Sequence, residues 1–182
     1  MSQVWGAGQR VTLRPYAAAG CAAVAGIDVT LRRMDTQLLL GYRLSGELAG
    51  LRIPQLDLSE RRDELWRHTC AELFVAAAGQ KSYGEFNFSP STHWAAYEFS
   101  AYRQDRQDMA CTAPVIQLDQ AGSLLSIEVS LQLPDWLAQA SQLQASVTMV
   151  VEDAAGQYSY WAAQHAAAQP DFHDRRSFVL TI

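Results

Sequence analysis

Four polar side chains in the middle of the sequence have types and spacings that could build a binding site. His68 and Glu72 lie four residues apart, and Glu85 and Asn87 lie two residues apart, all within the segment 65–103. The same segment contains the aromatic residues Trp66, Phe74, Tyr83, Phe86, Phe88, Trp94, Tyr97, Phe99 and Tyr102. Flat rings beside directional hydrogen-bonding groups are what a pocket for a small molecule needs. The segment therefore predicts where a ligand would bind and leaves its identity open.

A second polar cluster lies near the C-terminus. Trp161 is followed by His165, and then by Asp171 and His173 on either side of a phenylalanine. Rings, carboxylates and imidazoles at this spacing could add stacking and hydrogen-bonding groups to a site. The simpler interpretation is a surface loop in which Asp171 caps a backbone turn. For the first cluster, the simpler interpretation is the solvated outer face of an antiparallel sheet.

A metal centre could be assembled from the same residues. His68, Cys70 and Glu72 share one face of a predicted strand, and first-row metals accept this mixture of ligands. His165 or His173 would complete such a site. No HExxH or CxxC motif supports it, so the metal centre stays an alternative.

Other catalytic arrangements find less support in the sequence. Cys70 lies in the middle of a predicted strand, where burial raises the pKa of a thiol and makes it inert. Glu72 and Glu85 could nominally form the carboxylate pair of a glycosidase, but nothing in the sequence defines their separation. The chain contains no GxSxG motif, no Walker loop and no GxGxxG ahead of a helix. A catalytic function is therefore the less favoured class.

The elements that must hold these residues are mostly predicted strands. Apolar residues alternate with polar ones, or form short apolar runs, over residues 37–45, 126–133, 147–151 and 178–182. Helical signals are sparse. A short helix is predicted at 134–139, where Pro134 fits the start of a helix, and another in the Ala-rich stretch 16–25.

A central β-hairpin would bring the first polar cluster together. Residues 67–76 and 81–89 are predicted strands joined by the turn 77–80. The core would take four apolar side chains, namely Leu73, Val75, Phe86 and Phe88. The opposite face would then gather the polar side chains His68, Glu72, Glu85 and Asn87. Because residues two apart on a strand lie about 6.7 Å apart, these groups would converge within a patch the size of a sugar.

The number of strands and the overall composition bound the fold class and the partners. About ten short strands with few helices between them are typical of an antiparallel β-sandwich or barrel. A length of 182 residues predicts one domain that spans residues 1–182. The net charge is -5 and the basic residues form no long run, so we expect no nucleic-acid partner.

The cysteines and the N-terminal apolar run indicate the cellular compartment. Cys21, Cys70 and Cys111 form no CxxC pair, and an odd number of cysteines is typical of a reducing compartment rather than a disulfide framework. The Ala- and Gly-rich run 17–27 is too short to span a membrane and too weakly hydrophobic for a signal peptide. We therefore expect a cytoplasmic protein with no membrane partner.

Both clusters lie in segments that resemble a known family. Residues 66–74 (WRHTCAELF), 83–90 (YGEFNFSP) and 94–97 (WAAY) resemble the DOMON-like domains related to family-nine carbohydrate-binding modules, as found in a group of small bacterial proteins. The tail, from 160–162 (YWA) to 170–173 (PDFH), is similar to the C-terminal signature of that group. The resemblance covers nearly the whole chain.

The resemblance implies an all-β, antiparallel, jelly-roll-like β-sandwich with one or two short helices and a noncatalytic ligand site. In sugar-binding relatives two tryptophans sandwich a terminal sugar, and the resemblance assigns that role to Trp66 and Trp161. Other DOMON domains bind haem through a Met and a His or Lys. Three methionines of this chain lie in no recognisable ligand context, namely Met34, Met109 and Met149. No cofactor is therefore predicted, although haem and a metal stay open alternatives.

Together these inferences predict a noncatalytic domain that binds a small, carbohydrate-like ligand. Trp66 and Trp161 would stack on the ligand. Hydrogen bonds would come from His68, Glu72, Glu85, Asn87, His165, Asp171 and His173. One alternative is a metal-dependent enzyme that uses the residues His68, Glu72, His165 and His173. Another is a protein-interaction module, and exposed sheet edges would also allow a homodimer.

Overall fold

The described part of the chain contains twelve antiparallel strands. The structure is a computed structural model that describes residues 8–17 and 20–182. The strands are β1 (Gln9–Pro15), β2 (Val24–Met34), β3 (Gln37–Gly46), β4 (Cys70–Ala77), β5 (Tyr83–Phe88), β6 (Trp94–Phe99), β7 (Gln107–Asp108), β8 (Val115–Ala121), β9 (Leu124–Gln132), β10 (Leu143–Glu152), β11 (Tyr158–Ala162) and β12 (Leu180–Thr181). One short α-helix, α1 (Asp135–Ala138), and 3-10 turns at Leu48–Gly50, Leu65–Arg67 and Arg175–Ser177 complete the described elements. The predicted all-β class is confirmed.

The strands form two layers that share one edge strand. The first layer has the order β1-β2-β3-β9-β8, and the second has the order β7-β6-β5-β4-β10-β11-β1. β12 pairs with β10 beyond the end of β11. β1 pairs with β2 through Gln9–Leu13 and with β11 through Arg14 and Pro15, so the two layers join there as one curled sheet. The result is an antiparallel β-sandwich.

The hydrophobic core lies between the two layers. The four side chains predicted for it, Leu73, Val75, Phe86 and Phe88, are fully buried there. Tyr42 of β3 crosses this core, and its hydroxyl donates a 2.7 Å hydrogen bond to the backbone carbonyl of Glu72 on β4. Because β4 is held from the inside in this way, the face of β4 turned away from the first layer is rigidly placed. We call that side of the second layer the outer face.

Among the other predictions, three alternating runs and one helix are confirmed, whereas the second helix is not. The alternating runs correspond to β3, β9 and β10, and α1 forms with Pro134 as its N-cap residue. In the Ala-rich stretch, Ala18 and Ala19 lie outside the described residues, and the described part is not helical. Gly20 there has a φ of +54°, and Val24 and Ala25 already begin β2. The helix prediction is therefore wrong for the described part.

The C-terminal strand is shorter than predicted. Leu180 and Thr181 form the strand that pairs with β10, and the backbone of Ile182 exchanges two hydrogen bonds with Leu143. Ahead of them, Arg175–Ser177 forms a 3-10 turn. Phe178 caps that turn, with its ring buried on the outer face. The turn thus redirects the chain so that an aromatic side chain reaches the second layer instead of extending the strand.

None of the helices in residues 8–17 and 20–182 is long and apolar enough to span a membrane.

Candidate functional site

The outer face of the second layer carries a pocket of about 400 Å³. Strands β4, β5, β6, β10 and β11 form its base, and three irregular segments surround it, namely residues 65–67, 100–106 and 163–178. We call residues 163–178 the C-terminal segment. The residues that line the pocket are Trp66, Glu72, Phe74, Glu85, Tyr97, Phe99, Arg103, Arg106, Val150, Tyr160, Pro170, Phe172 and His173. A volume of this size lies within the range of small-molecule sites.

Two buried carboxyl groups form the polar floor of this pocket. Glu72 of β4 is 2% exposed and Glu85 of β5 is 6% exposed. The hydroxyl of Thr148 donates to Glu72 Oε2 at 3.2 Å, and Asn87 Nδ2 donates to Glu85 Oε1 at 2.9 Å. Alternation along β4 and β5 sends Leu73 to the core and these carboxyls to the outer face, as the hairpin prediction requires.

The two floor carboxyls are difficult to ionise. Burial raises the pKa of Glu72 well above its ordinary value, and the neighbouring charge of Glu85 raises it further, against the hydrogen bond from Thr148. Burial also raises the pKa of Glu85, while the hydrogen bond from Asn87 and the charges of Arg106 and Arg103 oppose the shift. The floor can therefore present protonated as well as ionised carboxyl oxygens to a ligand.

Aromatic side chains make the walls. Phe74 of β4 lies at the centre of a second apolar cluster, with ring centroids 6.3 Å from Phe172 and 6.2 Å from Phe178. Tyr97 and Phe99 extend this surface across β6. This cluster is separate from the core between the layers, so the C-terminal segment has an apolar docking surface of its own.

His173 fastens the C-terminal segment to the floor. Its Nδ1 and the hydroxyl of Tyr83 are hydrogen bonded at 2.7 Å, and its Nε2 lies 3.7 Å from Glu85 Oε2. Its ring packs edge-on against Phe74 and Phe99, each at a centroid distance of 5.1 Å. Burial, helped by the charge of Arg103, lowers the pKa of His173 to about 4. The imidazole is therefore neutral at pH 7 and packs as a polar ring between the C-terminal segment and the sheet.

The mouth of the pocket carries two arginines that each have an acidic partner. Arg103 Nη2 lies 2.9 Å from Asp171 Oδ1, and the hydroxyl of Tyr102 donates to Asp171 Oδ2 at 2.6 Å. Partial burial raises the pKa of Asp171, but these hydrogen bonds outweigh it and hold the pKa below its ordinary value. Arg106 lies over the ring of Tyr97 at 3.9 Å and reaches an oxygen of Asp63 at 3.4 Å.

Trp66 is the exposed aromatic side chain of the pocket. It is 44% exposed and sits on the 3-10 turn Leu65–Arg67 at the rim. Its neighbour Arg67 is fixed by the Tyr158 hydroxyl, which donates to the Arg67 carbonyl at 2.9 Å. A wide indole face at the mouth of a pocket can stack on the apolar face of a ligand.

Trp161 does not share this position. It is 5% exposed and belongs to the core between the layers, where its Nε1 donates to Ser159 Oγ at 2.9 Å. Because side chains alternate along β11, Tyr160 faces the pocket and Trp161 faces the opposite way. The predicted stacking role of Trp161 is therefore incompatible with its placement.

His68 and His165 also lie away from the pocket lining. β4 begins at Cys70, so His68 precedes the strand, and its Nδ1 is hydrogen bonded to Glu152 Oε2 at 2.8 Å. Arg52 Nη1 contacts the other oxygen of Glu152 at 2.9 Å, so this cluster anchors the chain just after Trp66. His165 Nε2 contacts the carbonyl of Arg14 at 2.8 Å. The prediction that His68 shares a strand face with Glu72 is wrong, because β4 starts at Cys70, two residues after His68.

Of the other predicted site residues, Glu72, Glu85 and His173 line the pocket. Asn87 and Asp171 do not line the pocket: Asn87 donates a hydrogen bond to Glu85, and Asp171 forms an ion pair with Arg103. The site residues predicted from the sequence do not include the lining residues Phe74, Tyr97, Phe99, Arg103, Arg106, Val150, Tyr160, Pro170 and Phe172. A signal for Arg103 was available, since it follows the aromatic strand β6 and ends the segment 65–103, whereas Arg106 lies just beyond that segment.

The ligands of the alternative metal centre are not brought together. His68 is bonded to Glu152, and Cys70 is fully buried. His173 contacts Tyr83 and Glu85, while His165 lies against the backbone of Arg14. Within residues 8–17 and 20–182, no group of three or more His, Cys, Asp or Glu side chains is arranged to hold a metal ion. The metal-dependent reading of this cluster therefore loses its geometric basis.

The substitution Glu72→Gln tests the electrostatics of the floor. Since folding raises the pKa of Glu72, its favourable contribution is present below the unfolded-state pKa of about 4.3 and is lost as pH rises through the folded-state pKa. We expect the unfolding free energy of Glu72→Gln, relative to the parent protein, to rise as pH increases above about 4.3 and to level off above the folded-state pKa of Glu72. Urea denaturation across this range measures the difference, and a difference that does not change with pH would contradict the assignment.

Solved structures with the same fold exist. A protein from Bacteroides uniformis ATCC 8492, described as a candidate carbohydrate-binding protein, is 15% identical over 96% of this chain and 85% of that chain, with a TM-score of 0.67. A carbohydrate-binding module family 9 domain from Caldicellulosiruptor kristjanssonii, solved in complex with cellotriose, is 9% identical. The alignment covers 89% of this chain and 75% of that chain, with a TM-score of 0.51.

These similarities concern the fold. No protein-family model matches the sequence, and no curated protein matches it significantly. At such low identity a similar structure shows a shared architecture alone. The predicted relation to family-nine modules is thus supported at the level of the β-sandwich, and the DOMON-like resemblance stays a prediction.

Proposed function

We propose that the outer-face pocket binds a saccharide and does not chemically alter it. The observation that carries this proposal is the pairing of an exposed indole, Trp66, with two buried carboxyls in a pocket of about 400 Å³. A pyranose has an apolar face that stacks on a ring and equatorial hydroxyls that need acceptors and donors. Trp66 would supply the first, and Glu72, Glu85, Arg103 and Arg106 would supply the second.

The combination of Trp66 with the buried carboxyls would set both the affinity and the specificity of the pocket for saccharides. A buried carboxyl left without a hydroxyl partner is costly, so ligands that lack hydroxyl groups at the floor would be rejected. Each hydrogen bond to a hydroxyl contributes only about 1 kcal/mol after desolvation. A handful of them with one stacked ring is expected to give a dissociation constant of about 10 μM to 1 mM.

The fold comparisons favour this reading over a protein-interaction module. The two similar structures are, by their descriptions, a candidate carbohydrate-binding protein and a family 9 carbohydrate-binding module bound to cellotriose. Fold similarity does not carry function by itself, so the proposal stands on the residues of the pocket.

Isothermal titration calorimetry of the purified chain with glucose, galactose, cellobiose, xylobiose and maltose tests the proposal. We expect at least one of these sugars to bind with one-to-one stoichiometry and to raise the melting temperature by mass action. Absence of heat and of any thermal shift across neutral and amino sugars alike, at 20 mM sugar, would contradict it.

A further inference from the structure

The floor of the pocket is rich in acceptors and lacks a positive charge. Glu72 and Glu85 both line the pocket and are almost completely buried. In the described part of the chain, no ion pair joins either carboxyl to a Lys or Arg. The one ionisable base within 4 Å is His173, whose Nε2 lies 3.7 Å from Glu85 and whose ring is neutral at pH 7. Burying carboxyls without a cation is unfavourable in the free protein.

A third acceptor lies on the same face. Asn87 is directly opposite Glu72 in the β4–β5 register and is completely buried. Its Nδ2 donates to Glu85, whereas its Oδ1 has no hydrogen-bond partner among the described residues. Buried polar atoms without a partner are rare in folded proteins, and each one requires a reason. Asn87 does not line the pocket, so its Oδ1 adds to the excess of acceptors beneath the floor.

The arginines at the mouth form no ion pair with the floor among the described residues, although their charges oppose the rise in the pKa of Glu85 that burial causes. Arg103 is paired with Asp171 at 2.9 Å, and Arg106 is paired with Asp63 at 3.4 Å. Each guanidinium therefore already has a carboxylate of its own. In the free protein, burial favours the protonated forms of Glu72 and Glu85, and a bound ammonium group would favour their ionisation.

The walls favour a cation as well. Phe74, Tyr97 and Phe99 line the pocket beside the floor, and Tyr160 and Phe172 close it from the other side. Aromatic faces attract ammonium groups, and they do so more strongly when water is excluded. An ammonium group on the floor would thus meet carboxylates below it and rings around it.

We propose that the pocket selects a saccharide that bears a protonated amine, with the ammonium group between Glu72 and Glu85. This inference rests on the proposed saccharide function and names its ligand class as amino sugars. An ammonium group has three N–H donors, and within the pocket lining Glu72 and Glu85 supply acceptor oxygens for them. The sugar ring would stack on Trp66, as in the proposed function.

Calorimetry with matched sugars tests this selectivity. At pH 6.5 the full chain is titrated with glucosamine, galactosamine and 6-amino-6-deoxyglucose, and with the parent hexoses and N-acetyl derivatives. We expect at least one amine to bind at least tenfold more tightly than both its hydroxyl parent and its N-acetyl derivative. An amine that binds no more tightly than its parent in every pair would overturn the inference.

Charge-removing variants assign the preference to the floor. Glu72→Gln and Glu85→Gln are each expected to reduce the preference for the amine over its hydroxyl parent to less than threefold, while the neutral parent sugar still binds. Glu98→Gln, on β6 but outside the pocket lining, is the matched control and should keep the full preference. An undiminished preference in both floor variants would overturn the placement of the amine.

The outcomes separate this inference from the proposed function. If neutral hexoses bind and the amines gain nothing, the selectivity is wrong and the saccharide function survives. If no sugar binds, with or without an amine, both fail. If choline binds as tightly as the best amino sugar, both fail as well, because an ammonium group without a sugar ring would then satisfy the pocket.

Discussion

Trp161→Ala is expected to lower the free energy of unfolding by about 3–5 kcal/mol, the usual cost of truncating a buried Trp or Phe. The ring is 5% exposed and packs within the core between the two layers. Gly20 approaches it so closely that a Cβ there would lie 3.3 Å from Trp161 Cζ2. For a domain of this length, each kcal/mol corresponds to roughly 2–4 °C, so the melting temperature should fall by about 6–20 °C.

Trp66→Ala is the matched control for that measurement. Its ring is 44% exposed, and truncation there should change the unfolding free energy by no more than about 0.5 kcal/mol. Urea denaturation of the two variants compares them directly. Equal destabilisation by both substitutions would contradict the assignment of one tryptophan to the core and the other to the pocket rim.

Trp66→Ala should instead weaken saccharide binding by roughly tenfold to thirtyfold. An aromatic anchor at a binding site contributes about 1.4–2 kcal/mol or more when it is truncated, and 1.4 kcal/mol is a factor of ten. Calorimetry with the tightest sugar from the panel measures the loss. The loss should appear at unchanged melting temperature, which separates it from an effect on folding.

Val115→Ala is the control for the binding measurement. Val115 is 60% exposed, belongs to β8 of the first layer and does not line the pocket. Its substitution should leave affinity within threefold of the parent protein. If Val115→Ala costs as much affinity as Trp66→Ala, the loss in Trp66→Ala does not locate the sugar in the pocket.

The sequence predicted the elements whose side chains alternate. The hairpin of β4 and β5 is correctly oriented because Leu73, Val75, Phe86 and Phe88 leave only one arrangement that buries them together. Glu72 and Glu85 follow from it, since they occupy the other face of the same two strands. The two-residue alternation along β4 and β5 therefore predicts the two carboxyls of the pocket floor from the sequence.

The sequence could not resolve which of two adjacent aromatic residues faces the ligand. Tyr160 and Trp161 are both large and apolar, so alternation places them on opposite faces without saying which face is which. Pairing with β10 and β1 decides it, and that pairing is long-range. The resemblance to sugar-binding modules assigned the stacking role to Trp161, whereas Tyr160 lines the pocket.

The walls and the mouth escaped prediction for a different reason. The C-terminal segment has no regular secondary structure apart from the turn Arg175–Ser177, and it is positioned by contacts of His173 with Tyr83, Phe74 and Phe99. Arg103 is on a loop with a φ of +54°, held by Asp171. Such placements depend on tertiary contacts and leave no periodic signal in the chain.

We propose that a saccharide binds in the outer-face pocket against Trp66. A two-dimensional ¹H–¹⁵N NMR titration of the labelled protein with the best-binding sugar tests it, with indole signals assigned from Trp66→Phe and Trp161→Phe. We predict that the Trp66 indole signal shifts saturably, with the dissociation constant found by calorimetry, while the Trp161 signal stays in place. A Trp66 signal that does not move while calorimetry reports binding would contradict the claim.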